Sequence, residues 1–337
     1  MHHLANKPKV TILTDPIASG RWWLPQTIRV IARTLRNYFQ TPEKNPRSKY
    51  RGHPAVTRSL VEGLKKKGLS FNYNPTSMGE LADIVVVLAG VRTLRQAIEF
   101  KKKGIIKTLS AGPNVVIFST DAESIIATPE VDIVTLNSDW TVDRYIEDSP
   151  SLKGRCWAWP AGVDTDYWAP NASLKRDRVL VLDKRLVQDD PDRVKPYVEY
   201  LRGQGWPVDV LVRCGVQGYT RDEYRDLLHK SCLMVGFTVG SESQGIAWAE
   251  AWAADVPTLI LRQTENICRG RKYHCSTAPF LQPENGLFFD DPENFKTVFA
   301  SWESNHQQFS ARAWTLANMS DEVCAEKIYR HLLPEKS

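Results

Sequence analysis

The sequence predicts an α/β fold in two doubly wound domains, and three features of the pattern carry that reading. Short apolar, β-branched runs recur along the chain, amphipathic stretches of helical period separate them, and one stretch near the middle is rich in turn formers. With 337 residues the chain can build about two cores at roughly 150 residues per domain. Apolar residues at 42% and charged residues at 25% lie near the globular average, which excludes a disordered or fibrous chain.

The expected strands, in order, are 10–13, 84–88, 115–118, 133–136, 179–182, 208–212, 233–237 and 258–261. Each is a short continuous apolar run, the pattern of a parallel strand buried on both faces. Expected helices at 26–39, 54–67, 92–103, 192–202 and 221–230 alternate apolar and charged faces at the helical period. Residues 160–175 hold Pro, Gly, Asn and Asp with little apolar periodicity, which suits a linker. The expected layout is therefore a domain over 1–165, a second over 166–320, and a last helix within 321–337 that crosses back to the first. Two such domains leave a cleft at the carboxyl ends of both sheets, where ligands of open α/β folds bind.

Charge is unevenly spread. The chain nets +5, but its first 107 residues hold 20 basic and 6 acidic side chains, or +14, and the remainder is −9. The six cysteines, at 156, 214, 232, 268, 275 and 324, show no C-x-x-C spacing. Free thiols in a reducing cytoplasm are expected. Met1 to Pro8 lacks the apolar core of a signal peptide, and no run of about 18 apolar residues occurs.

Chemistry concentrates in residues 239–260, VGSESQGIAWAEAWAADVPTLI. The segment leaves a strand, turns through Gly240 to Ser243, and enters a helix that Ser241 or Ser243 is expected to cap. Free amides around Gln244, Gly245 and Ile246 would then face the cleft as an anion site, with Gly245 letting a phosphate or sugar approach the backbone. Glu250 is placed to accept hydrogen bonds from ribose hydroxyls, and Glu242 lies nearer a second polyol. Two carboxylates flanking an amide cluster describe a site for a nucleotide-sugar.

Those residues resemble the Glu-x7-Glu motif of retaining glycosyltransferases with the GT-B fold, two Rossmann-like domains facing across a cleft, and in particular family four. The matching positions are Glu242, Ser243, Gln244, Gly245, Ile246, Glu250, Ala251, Ala253, Val256 and Pro257. PAGVDTDYW at 160–168 is similar to the segment with which that family leaves its first domain, and NGLFFDDP at 285–292 to the end of its donor domain. The resemblance implies that Lys184 and Arg185 reach the donor diphosphate and that Gly218 and Tyr219 flank the base. It implies Glu250 at the ribose and Glu242 at the donor sugar. The sequence departs from the family in keeping one glycine after Glu242, where Gly-Phe-Gly is common, and in having Asp183-Lys184-Arg185-Leu186 for the usual Gly-Arg-Leu.

On the acceptor side, the loop after the first strand carries Asp15, Gly20, Arg21, Trp22 and Trp23, and His53 and Ser138 are further candidate contacts. Aromatic faces there would stack on sugar rings. The resemblance implies a transferase that uses no metal and no cofactor beyond its nucleoside diphosphate sugar donor. The expected acceptor is a saccharide or a lipid-linked acceptor. The basic first third is expected to attach the protein peripherally to the inner face of the membrane, since each Lys or Arg near an anionic leaflet contributes about 1 kcal/mol. Cys268, His274 and Cys275 lack a fourth zinc ligand, and neither a Gly-x-Gly-x-x-Gly nor a P-loop string occurs. A nucleotide-sugar epimerase or a sugar phosphorylase on the same fold is an alternative. So is a basic nucleic-acid-binding module, although aromatics are not interleaved with the basic runs and no nucleic acid is expected.

Overall fold

A computed structural model describes residues 8–14, 53–75, 77–214 and 218–333. The expected helix at 26–39 lies outside them. The chain divides into two compact units, Met1–Pro160 with Ala325–Ser337, and Ala161–Cys324.

The first unit holds a six-stranded parallel sheet of order β2-β1-β3-β4-β5-β6. Its elements are β1 (Val10–Thr14), α1 (His53–Lys66), β2 (Phe71–Tyr73), β3 (Ile84–Ala89), α2 (Val91–Lys102), β4 (Thr108–Asn114), β5 (Ile133–Leu136), α3 (Asp139–Asp148) and β6 (Cys156–Ala158). Helices α1 and α2 end on Lys65, Lys66 and on Lys101, Lys102, cations that complement the carboxyl end of a helix dipole. The apolar face of α2, with Leu94, Ala97 and Ile98, packs with Val85, Val87 and Leu109 in one core.

Strand β4 corrects the sequence reading. The expected strand at 115–118 is instead the loop that follows, and the strand is TLSAGPN. Between β3 and β5 the sheet favours small buried residues, and Ser110 and Ala111 are fully enclosed. Packing here overrides intrinsic strand preference.

The second unit contains β7 (Arg178–Arg185), α4 (Lys195–Gly203), β8 (Val208–Cys214), α5 (Arg221–Leu228), β9 (Ser231–Phe237), α6 (Ile246–Ala253), β10 (Thr258–Leu261), β11 (Glu265–Cys268), β12 (Arg271–His274), β13 (Gly286–Phe289), α7 (Pro292–Asn305) and α8 (Ala311–Asn318). Five strands form a parallel sheet of order β13-β10-β9-β7-β8, and β11 pairs with β12 as an antiparallel hairpin. Helix α6 is apolar nearly all round and correspondingly buried, with Trp248 against Gly236 of β9 and Trp252 5.6 Å from Trp314 of α8.

Residues 160–175 do not behave as a free linker. Val163 donates its amide to Met319 O at 2.9 Å and accepts from Asp321 N at 3.1 Å, while Tyr167 and Trp168 are core residues of the second unit. The unit boundary falls at 160/161, five residues before the expected one. A last helix, α9 (Asp321–Leu332), follows. In the first unit its Glu326 pairs with Lys67 at 2.8 Å, Tyr329 donates to Ser70 O, and His331 stacks on Trp157 at 4.0 Å. Among the described residues no helix is long and apolar enough to cross a membrane.

Candidate functional site

Winding of the five-stranded sheet reverses at β7, which has β8 on one side and β9, β10 and β13 on the other. Open α/β sheets bind ligands outside the carboxyl ends of their strands at such a switch point. Two chain segments meet there. β7 ends on Asp183-Lys184-Arg185, and β9, whose Phe237 pairs with Asp183, runs on through the loop 238–245 into α6.

The Lys184 ammonium donates to Glu242 Oε1, which also accepts from Thr238 Oγ1 at 2.9 Å. The same ammonium lies 4.9 Å above the Trp248 ring. The two side chains are only 14% and 19% exposed, so their charges interact through a medium less screening than water. The carboxylate of Asp183, the preceding residue of β7, has no exposure and accepts from Arg193 Nε at 2.8 Å and Arg193 Nη2 at 2.5 Å. Arg193 also donates to Lys184 O at 2.7 Å, and Arg185 Nη1 lies 3.7 Å from Asp183 Oδ2. Asp183 thus gathers two guanidinium groups at the end of β7. Arg193 was not expected from the sequence; its signal is the acidic residue that closes the apolar run of β7.

The loop is held at each step. Gly240, at φ +74°, presses on Asn266 so closely that an added Cβ would lie 2.2 Å from its side chain. Asn266 Nδ2 donates to Ser241 Oγ at 3.2 Å and Tyr273 OH at 3.1 Å, and Glu242 N donates to Ser276 O at 2.9 Å. The Gln244 side chain is buried and makes a two-point pair with the backbone of Ala161, at 2.6 and 3.0 Å. Gly245 takes φ +78°, and an added Cβ there would lie 2.2 Å from Trp248 Cδ1. The cap expected from Ser241 or Ser243 is corrected: the N-cap of α6 is Gly245, with no side-chain cap bond, because Ser241 is engaged by the hairpin and Ser243 is exposed. Ile246 opens the helix, half-buried, with the positive end of the helix dipole facing the loop.

Glu250 lies in the second turn of α6 and pairs with Arg221, the first residue of α5, at 3.5 Å between Oε1 and Nη2. The Arg221 guanidinium sits 4.6 Å from the Tyr167 ring and 5.0 Å from the Trp168 ring. Arg221 was also missed; its partner is far away in sequence. Tyr224 OH donates to Ala247 O at 2.7 Å, and burial, with the nearby charges of Tyr219 and Glu250, pushes its pKa well above the ordinary value. It therefore remains a neutral donor. Gly218 is exposed, and Tyr219 packs its ring 5.3 Å from Tyr224.

Lys184, Arg185, Glu242, Ser243, Gln244, Gly245 and Ile246 thus share one carboxyl edge, and Gly218, Tyr219 and Glu250 gather around α5 and α6. The acceptor-side residues fare differently. Asp15, Gly20, Arg21 and Trp22 lie outside the described residues. His53 is the exposed first residue of α1, and Ser138 is the buried N-cap of α3, its amide donating to Thr141 Oγ1 at 3.2 Å. Among the described residues no group of three His, Cys, Asp or Glu side chains is arranged to hold a metal ion.

No protein-family model matches the sequence, and no curated protein matches it significantly. Solved structures do match. A glycosyltransferase from Rickettsia africae superposes with TM-score 0.55 at 12% identity, over 98% of this chain and all of the other. The lipopolysaccharide outer core galactosyltransferase WaaB, in its apo form, gives 0.53 at 12% identity over 97% and 99%. The Anabaena protein HepE, in complex with UDP, gives 0.51 at 10% identity over 96% and 99%. At these identities the likeness is one of fold, and the fold is GT-B: two α/β units, each built on a parallel sheet.

Proposed function

We propose that this protein is a glycosyltransferase that moves a sugar, with retention of configuration, from a nucleoside diphosphate sugar to a saccharide or lipid-linked acceptor. One observation carries the reading: the Lys184–Glu242 pair stands at the switch point of the second sheet, beside the amino end of α6. Lys184 and Arg185, with the helix dipole, would hold the departing diphosphate, whose developing charge is the main thing a preorganised site can stabilise. Glu242 would receive hydroxyls of the donor sugar and Glu250 those of the ribose. The fold match to glycosyltransferases, one of them solved with UDP, supports a nucleotide at this edge. No side-chain nucleophile is assigned, and the donor is the sole small molecule the scheme needs.

The acceptor side belongs to the same reading: Asp15, Gly20, Arg21, Trp22, His53 and Ser138 would face the acceptor, and the basic first third would bring the protein to an anionic membrane. Several of its lysines already have carboxylate partners, Lys65 with Glu62, Lys67 with Glu326, Lys102 with Glu99 and Lys107 with Asp83. The attraction must therefore come from the remainder of that third.

The decisive experiment screens nucleoside diphosphate sugars for thermal stabilisation and follows the hit with transfer to saccharide and lipid-linked acceptors, reading the product's anomeric configuration by NMR. Ligand at a hundred times Kd adds about 2.7 kcal/mol, which in a unit of this size raises Tm by roughly 5–10 °C. A screen in which no nucleotide-sugar shifts Tm refutes the proposal.

A further inference from the structure

We infer that Arg221 is a positioning residue that fixes the Glu250 carboxylate for a ribose 2′,3′-diol and so makes the site discriminate ribonucleotides from 2′-deoxyribonucleotides. The inference rests on the placement of Glu250 at the ribose proposed above and adds the residue that holds it there. Three features of Arg221 are hard to explain as packing alone. Its side chain is 5% exposed, and a guanidinium so far out of water is costly unless it meets an anion. It occupies the first position of α5, where the helix dipole disfavours a cation; Thr220 caps that helix and Asp222 and Glu223 follow in the same turn, so the local sequence supplies the negative charge that position prefers. And its guanidinium lies against two rings set edge to face, Tyr167 at 4.6 Å and Trp168 at 5.0 Å, which restrict its orientation.

What that orientation accomplishes is set by the partner. Arg221 Nη2 lies 3.5 Å from Glu250 Oε1, and the Glu250 side chain is itself only 11% exposed. A carboxylate on a flexible side chain can meet one hydroxyl in many rotamers. Meeting two vicinal hydroxyls together requires its plane to be fixed, and a neighbouring guanidinium restrains it. The clamp is anchored in turn: Tyr167 OH donates to Asp222 Oδ1 at 2.6 Å, and the Arg225 guanidinium covers the Tyr167 ring at 4.7 Å. The residues that hold the guanidinium therefore come from 167–168 and from α5, and they act on the ligand through Glu250.

The test is a ratio of affinities. Isothermal titration of the full chain with UDP, ADP, GDP and CDP identifies the base, and the preferred nucleotide is then compared with its 2′-deoxy form in wild type, Arg221→Gln and Arg221→Lys. Wild type should prefer the ribonucleotide by about tenfold or more, the weight of one hydrogen bond to a charged group. Arg221→Gln should bring the ratio close to one while the deoxynucleotide binds about as in wild type, and Arg221→Lys should restore part of the preference. A residue that merely stabilised the fold would lower both affinities together and leave the ratio intact, and that result overturns the inference. A wild type that binds ribo and deoxy forms equally overturns it too. A wild type that binds none of the four nucleotides and is stabilised by no nucleoside diphosphate sugar removes the proposed function and this inference with it.

Discussion

Replacing the Lys184–Glu242 pair in two steps separates what the pair does for stability from what it does for chemistry. Lys184→Met leaves the Glu242 carboxylate with Thr238 as its described neutral donor, and Glu242→Gln leaves the ammonium with the Trp248 face. Breaking a fully buried pair costs about 3–5 kcal/mol because the survivor is an uncompensated charge. Here the side chains retain 14% and 19% exposure, so water offsets part of that, and about 2 kcal/mol per single variant is expected. In a unit of this size that is a fall in Tm of roughly 4–8 °C. The double variant removes both charges, keeps a methionine against the indole and keeps an amide oxygen for Thr238. Its Tm should return to within about 2 °C of wild type, a coupling of about 3–4 kcal/mol in the double-mutant cycle. Activity should not return: if the pair meets donor diphosphate and sugar, each single and the double should lose about 100-fold or more in kcat/KM. Differential scanning calorimetry and a donor-turnover assay read the two outcomes. Additive losses of stability, or a double variant with near wild-type turnover, would refute the reasoning.

Two further outcomes follow from particular residues. Gly245→Ala forces a non-glycine residue to φ +78°, costing about 1–2 kcal/mol, and pushes a methyl against Trp248 Cδ1, where overpacking adds about 1–3 kcal/mol. Its thermal midpoint should fall by roughly 4–20 °C, with a change in tryptophan emission as the indole moves, and a midpoint within 2 °C of wild type contradicts the tight fit. His229, whose Nε2 meets Ala169 O at 3.0 Å, has its pKa lowered from 6.5 by burial. The unfolded chain then binds more protons than the folded one between that lowered value and 6.5, so stability is full above 6.5 and declines as pH falls through that window. Melts from pH 7.5 to 5.5 should slope downward, less steeply in His229→Gln. Burial lowers His331 too, so part of the slope should persist in that variant, and a variant slope equal to wild type removes His229 from the account.

Strands buried on both faces announced themselves as apolar runs, because a parallel strand under helices has no polar face to write into the sequence. The elements that escaped depend on neighbours. β4 is built from small residues because β3 and β5 crowd it, and the β11–β12 hairpin alternates exposed polar residues around a turn, Arg269-Gly270, in which both residues take positive φ. The site divides along the same line. Lys184 and Gly245 stood out as candidates since each sits where a strand ends or a helix begins, and Glu242 since it lies in the turn that joins β9 to α6. What fixes them was not legible: Gln244 is tied to a backbone 83 residues earlier, Ser241 to an asparagine on the hairpin, Asp183 to Arg193, and Glu250 to Arg221 across two helices. Those long-range partners also explain the two glycines. At 240 the close neighbour is Asn266 and at 245 it is Trp248, so each glycine is required by a side chain packed against it, and the loop's shape belongs to the folded unit more than to its own sequence. An edge assembled in this way is preorganised before any ligand arrives. That is the condition under which charges at a strand end contribute to a transition state without first paying for their own ordering.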